Sequence, residues 1–93
     1  MVIKWLKGRN CKHTSLKIEA DFYTDPIWCN DCGFNLDIDD FSLTNELIDE
    51  LFNWIKEYKK IPMDLHNKQG KELTEKVITE IGKDFPVIRF IEQ

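Results

Sequence analysis

The sequence predicts an α+β fold in which a small antiparallel sheet packs against two helices. Apolar residues alternate with polar ones over two short stretches, which is the period of a strand with one buried face. Two later stretches place apolar residues at three- and four-residue steps, as in an amphipathic helix. The chain of 93 residues can bury one modest hydrophobic core, so residues 1–93 are predicted to form a single domain.

Three of the predicted strands lie in the first part of the chain. Residues 2–6 favour β-structure, residues 16–22 alternate, and residues 34–39 alternate again with Phe34, Leu36 and Ile38 on the inner side. We expect the two alternating stretches to pair as antiparallel neighbours. Asp25-Pro26 should end the earlier one, because proline cannot donate a ladder hydrogen bond.

The predicted helices lie between these strands and a closing strand at residues 87–91. The first helix covers about residues 44–59, with Thr44 or Ser42 as its N-cap, and ends at Ile61-Pro62. The second covers about residues 69–81 and stops at Gly82, which we expect in a left-handed conformation.

Two close pairs of metal-binding residue types give the clearest chemical signal. Cys11 and His13 form one pair, and Cys29 and Cys32 form the other, with Gly33 directly after it. Two such pairs separated by a strand-length spacer are typical of zinc ribbons, and zinc prefers four thiolate or imidazole ligands. Glycine suits a knuckle that wraps two thiolates around one ion, since it tolerates a positive φ. A closed shell of four ligands predicts a structural zinc in a zinc knuckle.

Several alternatives compete for these residues. His66 could replace His13 as the fourth ligand, although a solvated loop histidine is the simpler interpretation of His66. A redox function of the Cys29-x-x-Cys32 pair is disfavoured, because a strand pattern rather than a helix follows it. A calcium loop beginning at Asp37 fails, since Ser42 and Ile48 stand where glycine and glutamate are required.

Charge is distributed unevenly along the chain, whose net charge is −4. Residues 1–17 contain no acid and five basic residues: Lys4, Lys7, Arg9, Lys12 and Lys17. Residues 19–57 contain eleven acidic residues against Lys56 alone. This pattern disfavours extended binding to a phosphate backbone, but it leaves a small basic patch near the N-terminus.

The order of several short motifs resembles that of a known family. Asp21 precedes Pro26-Ile27-Trp28 by five positions, a helix with Leu47, Leu51 and Trp54 follows, and Gly70, Leu73 and Ile81-Gly82 lie near the end. In this order, from Ile18 onward, the chain resembles a widespread family of small uncharacterised bacterial proteins. Many of those proteins lack the two cysteines after the Pro-x-Trp segment. The resemblance therefore implies that the metal is an added brace, and it implies no activity.

Together these patterns predict a cytoplasmic, zinc-braced module that binds another protein. The acidic region of residues 37–57 is the expected contact surface, since acidic surfaces steer basic partners, as those of inhibitors and immunity proteins do for nucleases. The alternative is a zinc ribbon that binds nucleic acid through the basic N-terminal residues. The sequence shows no apolar run long enough to span a membrane. It also shows no phosphate-binding loop and no catalytic triad, so we do not expect this protein to be an enzyme.

Overall fold

The structure is a computed structural model that describes residues 11–93. The strand predicted at residues 2–6 and the basic residues Lys4, Lys7 and Arg9 lie outside this range. The elements, in chain order, are strand β1 (Ser15–Ile18), strand β2 (Ile27–Cys29), a 3₁₀ helix (Ile38–Asp40), helix α1 (Asn45–Lys56), helix α2 (Met63–Ile81) and strand β3 (Val87–Phe90). This arrangement confirms the α+β fold class.

The three strands form one sheet in the order β2-β1-β3. Strands β1 and β2 are antiparallel, with Leu16 opposite Cys29 and Ile18 opposite Ile27. Strand β3 pairs with β1 in parallel, with Leu16 opposite Ile88, so the sheet is mixed rather than wholly antiparallel. The helical connection explains the difference, because a crossover brings the returning strand back in the same direction.

The second strand lies at β2 and not at residues 34–39, where the alternating pattern placed it. Only Asn35 of that stretch bridges to β2, opposite Trp28. Two carboxylates then turn the backbone away from the sheet: Asp25 accepts a hydrogen bond from the Ile38 amide at 2.9 Å, and Asp37 accepts one from the Asp39 amide at 2.9 Å. Phe34 is 37% exposed and only Ile38 of the expected inner residues is fully buried.

Strand β1 is also shorter than predicted, because Asp21 starts a turn. Its carboxylate accepts a hydrogen bond from the Phe22 amide at 2.7 Å, and its carbonyl accepts one from the Thr24 hydroxyl at 3.2 Å. Phe22 was expected on the strand, but its side chain is 55% exposed on this turn.

Helix α1 matches its predicted position closely. Thr44 is the N-cap, and its hydroxyl accepts a hydrogen bond from the Leu47 amide at 3.3 Å. The helix ends at Lys56, before a turn in which Lys59 has a φ of 69°.

Helix α2 begins at Met63, six residues before the predicted start, so Pro62 precedes a helix rather than a loop. His66 is therefore fully buried in a helix and is not a solvated loop residue. Its ring stacks on Trp54 with centroids 4.6 Å apart, and the Trp54 indole donates a hydrogen bond to the His66 carbonyl at 2.9 Å. The prediction for Gly82 is also wrong, since its φ of −61° is right-handed.

One hydrophobic core joins the sheet to both helices. Its most buried members include Leu16 and Ile18 of β1, Leu51 of α1 and Val77 of α2. Within the described residues, no helix combines the length and the apolar character needed to cross a membrane.

Candidate metal centre

The Cys29–Gly33 segment forms a tight turn at the end of strand β2. The Gly33 amide donates to the Cys29 carbonyl at 3.0 Å, and the Cys29 amide donates to the Phe34 carbonyl at 2.8 Å. Gly33 has a φ of 83°, as its position after the second cysteine predicted. Cys29 is fully buried and Cys32 is half-buried, so the turn holds one thiol inside the fold and the other at its edge.

The other pair approaches this turn from the segment before β1. Two ligands at positions i and i+2 need a bend between them, and His13 supplies it with a φ of 52°. The His13 ring stacks on Phe34, with centroids 5.9 Å apart and planes at 16°. The Asn30 amide donates to the Ser15 carbonyl at 2.8 Å, which ties the two segments together.

The structure brings all four predicted ligands together. One ligand atom from each of Cys11, His13, Cys29 and Cys32 lies within 4.8 Å of the other three. The Cys11 and Cys29 sulfurs are 3.5 Å apart, and the Cys32 sulfur is 3.6 Å from His13 Nδ1. The edge of a tetrahedron with zinc–sulfur bonds of about 2.3 Å is roughly 3.8 Å, so these spacings fit a zinc ion.

Hydrogen bonding prepares the Cys29 thiol to act as a ligand. Burial raises the pKa of Cys29, but hydrogen bonds from His13, from the Cys32 and Asp31 amides and from the Cys11 thiol outweigh burial and lower it from 9.0 to about 6. Burial raises the pKa of Cys32 to about 11, and the neighbouring Cys29 and Cys11 add to the increase. In the metal-free site, one buried thiolate is therefore favoured over two, as expected where like charges share a small space.

His66 is not part of this cluster. Its Nε2 lies 2.9 Å from the Trp54 carbonyl, and its ring packs against Trp54 and Tyr58. Its Nδ1 has no hydrogen-bond partner among residues 11–93. His66 is thus a buried packing residue, and the geometry favours His13 as the histidine of the metal centre.

The structure describes only part of the basic region predicted as a contact surface, but it describes the whole acidic region. Of the basic residues, Lys12 is exposed and Lys17 pairs with Glu19 at 3.3 Å. Most carboxylates of the acidic region are exposed; they are Asp37, Asp39, Asp40, Glu46, Asp49 and Glu57. Glu50 binds Lys76 at 2.9 Å and raises the pKa of that lysine.

A groove between the turn after β1 and helix α1 was not predicted from the sequence. It has a volume of about 680 Å³, and the exposed side chains of Phe22 and Tyr23 lie on its wall. The strand-like alternation of residues 16–22 concealed it. The Asp21 and Pro26 turn signals on either side of these aromatics were the available clue.

Comparison with known proteins identifies a family. No curated protein matches this chain. The model of the Serratia CdiI immunity protein-like family matches residues 14–92. The match includes every strand and helix described above, together with Cys29 and Cys32, whereas Cys11 and His13 precede it. With the fold and most of its length covered, this chain belongs to the Serratia CdiI immunity protein-like family.

Proposed function

We propose that this protein is an immunity protein that binds a protein toxin and neutralises it. The family match over residues 14–92 carries this proposal. Immunity proteins are toxin-binding inhibitors and not enzymes, which agrees with the expectation that this chain has no catalytic function. The fold suits such a function, because a small rigid domain can present a preorganised surface at little entropic cost on binding.

The acidic region of residues 37–57 is the proposed contact surface. Its carboxylates extend from the 3₁₀ helix along helix α1, and most of them are exposed. A surface of one sign accelerates encounter with a partner of the opposite sign and disfavours partners of like charge. We therefore expect the toxin to present a basic surface to this protein.

Zinc would act here as a structural brace. Cys11, His13, Cys29 and Cys32 would fill the tetrahedral shell and leave no position for a substrate or water. The ion would join the segment before β1 to the end of β2, which supports the sheet at one end. Reduced thiols are required for this function, so a cytoplasmic location is proposed for the protein.

The proposal is tested with the toxin itself. A cell that makes a toxin without its inhibitor is harmed, so the toxin gene and the inhibitor gene should be inherited together. The toxin is therefore sought among proteins encoded beside this gene. We expect the purified toxin domain and this protein to form a stable complex in size-exclusion chromatography. We also expect co-expression to restore growth to cells that produce the toxin. Two folded proteins that neither associate nor protect cells would contradict the proposed function.

A further inference from the structure

The groove beside helix α1 has the features of an anchoring pocket. Apolar side chains from both sides line it, namely Phe22 of the turn, Phe52 and Ile55 of α1, and Tyr58 after the helix. The Phe22 and Tyr58 rings lie 5.0 Å apart and are tilted by 53°, so the turn packs against the segment just after α1 and the two rings form one wall of the groove. Concave apolar surfaces of this kind hold the anchoring side chains of protein complexes.

Tyr23 is held out beside this groove at a conformational cost. Its side chain is 103% exposed, and its φ of 60° is left-handed, a conformation that an aromatic residue rarely adopts. Among residues 11–93, no burial of the Tyr23 side chain compensates for this backbone strain. Strained residues of this kind concentrate at functional sites, and tyrosine is enriched among the residues that dominate binding energy.

The turn that carries Tyr23 is fixed by hydrogen bonds and is therefore preorganised. The Asp25 amide donates to the Asn35 side-chain oxygen at 3.0 Å, and the Asn35 side-chain amide donates back to the Asp25 carbonyl at 2.8 Å. Asp21 fixes the other side of the turn through its bonds to Phe22 and Thr24. Little conformational freedom is left for a partner to remove on binding.

The charges at the rim of the groove indicate the chemistry of the occupant. Asp49 and Lys56 both line it, and their separation of seven positions along α1 corresponds to about 10 Å. Beyond Asp49, the acidic series continues toward the start of α1 with Glu46, whereas Lys60 joins Lys56 at the other end. A basic group is therefore favoured at the Asp49 end of the groove.

We propose that this groove is the anchoring point of the toxin interface and that it receives an apolar side chain of the toxin with a basic side chain next to it. Tyr23 and Phe22 enclose the apolar side chain, and Asp49 binds the basic one. This inference rests on the proposed function. It locates the toxin contact at the groove, which adjoins the acidic surface. It also assigns a toxin contact to Phe22 and Tyr23, which lie outside residues 37–57.

Two variants and two matched controls test the inference with the toxin domain identified by the growth assay. Tyr23→Gly removes the aromatic side chain and suits the left-handed backbone, so it should leave the melting temperature unchanged or higher. Asp49→Lys reverses the charge at the rim. The controls are Leu65→Ala, which shortens a side chain that is 44% exposed on α2, and Glu75→Lys, which reverses an exposed charge on α2.

The inference predicts that Tyr23→Gly and Asp49→Lys each raise the dissociation constant roughly tenfold or more, while both controls bind like the wild type. Hydrogen exchange on the complex should show new protection in residues 21–25 and 49–60. Wild-type affinity in both groove variants, without protection there, would overturn the inference and leave the proposed function intact. Failure of the wild-type protein to bind would overturn both. A wild-type dimer that Tyr23→Gly converts to a monomer would assign the groove to a second copy, against the inference.

Discussion

Among single residues, two hold the candidate metal centre in backbone conformations that few residue types adopt easily. Gly33 has a φ of 83° and His13 has a φ of 52°. The first is visible in the sequence, because glycine after a Cys-x-x-Cys pair is the residue that tolerates this conformation. The second is not visible, since nothing local to Cys11-x-His13 specifies a left-handed histidine. Its ring lies against Phe34, a residue distant in sequence.

Replacing a cysteine should remove the ion and reduce stability together. We expect the wild-type protein to contain one zinc per chain by mass spectrometry and Cys32→Ser to contain none, because a neutral hydroxyl is a poor zinc ligand. The melting temperature of Cys32→Ser should fall by roughly 10 °C or more. Lys12→Ala, which changes an exposed residue between two ligands, should keep both the zinc and the melting temperature. Zinc retained by Cys32→Ser with unchanged stability would contradict the assignment.

Gly70 must be glycine because neighbouring side chains leave no room for a Cβ. It is buried within α2, where a Cβ would lie 2.6 Å from Phe90 Cζ and 2.7 Å from Trp54 Cζ2. We expect Gly70→Ala to destabilise the protein by about 1–2 kcal/mol, because overpacking outweighs the gain of about 1 kcal/mol in helix propensity. Urea denaturation measures the change. Lys68→Ala, at an exposed site on the same helix, should be neutral, and a stabilised Gly70→Ala would show that the contact is absent.

At the scale of elements, the helices were easier to predict than the strands. The apolar face of α1 repeats regularly through Leu47, Leu51 and Trp54, all of them buried, and this periodicity fixed the helix to within a few residues. The first turns of α2 were missed, because they contain polar residues and a histidine. His66 is helical and buried because Trp54 stacks on it, and such a contact leaves no periodic signal.

The short strands were harder because three or four residues carry little periodic information. Residues 34–39 alternate as a strand does, but the carboxylates of Asp25 and Asp37 divert them into a 3₁₀ helix. Strand β2 has only three residues, Ile27–Cys29, and its pairing with β1 determines its limits. Pairing partners are a property of the sheet and not of the local sequence.

The junction between the start of α1 and the end of α2 offers a test at this scale. Thr44 caps α1, and its hydroxyl also donates to Glu80 of α2 at 2.9 Å. We expect Thr44→Ala to cost about 1–2 kcal/mol of the free energy of unfolding, because the cap and the hydroxyl bond to Glu80 are lost while the backbone bond from the residue 44 amide to Glu80 remains. Ser42→Ala, which alters the other residue that the sequence offered as a cap, should have no effect. Equal losses in the two variants, measured by urea denaturation, would contradict the assignment of the cap.

At the scale of the whole molecule, the β1–β2 hairpin separates the metal centre from the proposed toxin surface. At one end of the hairpin, where β1 begins and β2 finishes, lie the four candidate ligands Cys11, His13, Cys29 and Cys32. The turn with Phe22 and Tyr23 lies at the opposite end, where β1 finishes and β2 begins. The family match covers residues 14–92, so it includes Cys29 and Cys32 and begins after Cys11 and His13; the added metal brace stays a prediction.

This separation predicts that metal removal reduces stability without changing affinity. Treatment with a chelator should lower the melting temperature, since the link between the two segments is lost. Below that temperature, the metal-free protein should bind the toxin domain within about twofold of the zinc-loaded protein, as measured by calorimetry. Cys32→Ser treated with the same chelator serves as the control, because it has no ion to lose. A large loss of affinity in the folded metal-free protein would place the metal centre in the interface.

The acidic surface predicts a dependence of the association rate on salt. Replacing Glu46 and Glu57 with glutamine should slow association with the toxin several-fold at low salt, because long-range attraction is weakened. The difference from the wild type should vanish near 1 M salt, where charges are screened beyond about 3 Å. Stopped-flow fluorescence measures the rate. Glu75→Gln combined with Asp84→Asn, which removes two exposed carboxylates outside the acidic region, should associate like the wild type, and an equal slowing would indicate only an effect of net charge.

Local sequence was enough to predict the fold class, helix α1, the Cys and His residues that meet at the candidate metal centre, and the acidic region. Each of these features is indicated by local periodicity, by residue chemistry or by short spacings along the chain. The parallel pairing of β3, the burial of His66 and the exposure of Phe22 and Tyr23 beside a groove became known only from the folded chain. These features depend on contacts between residues far apart in the chain, and such contacts are fixed when the core assembles rather than by the residues next to them.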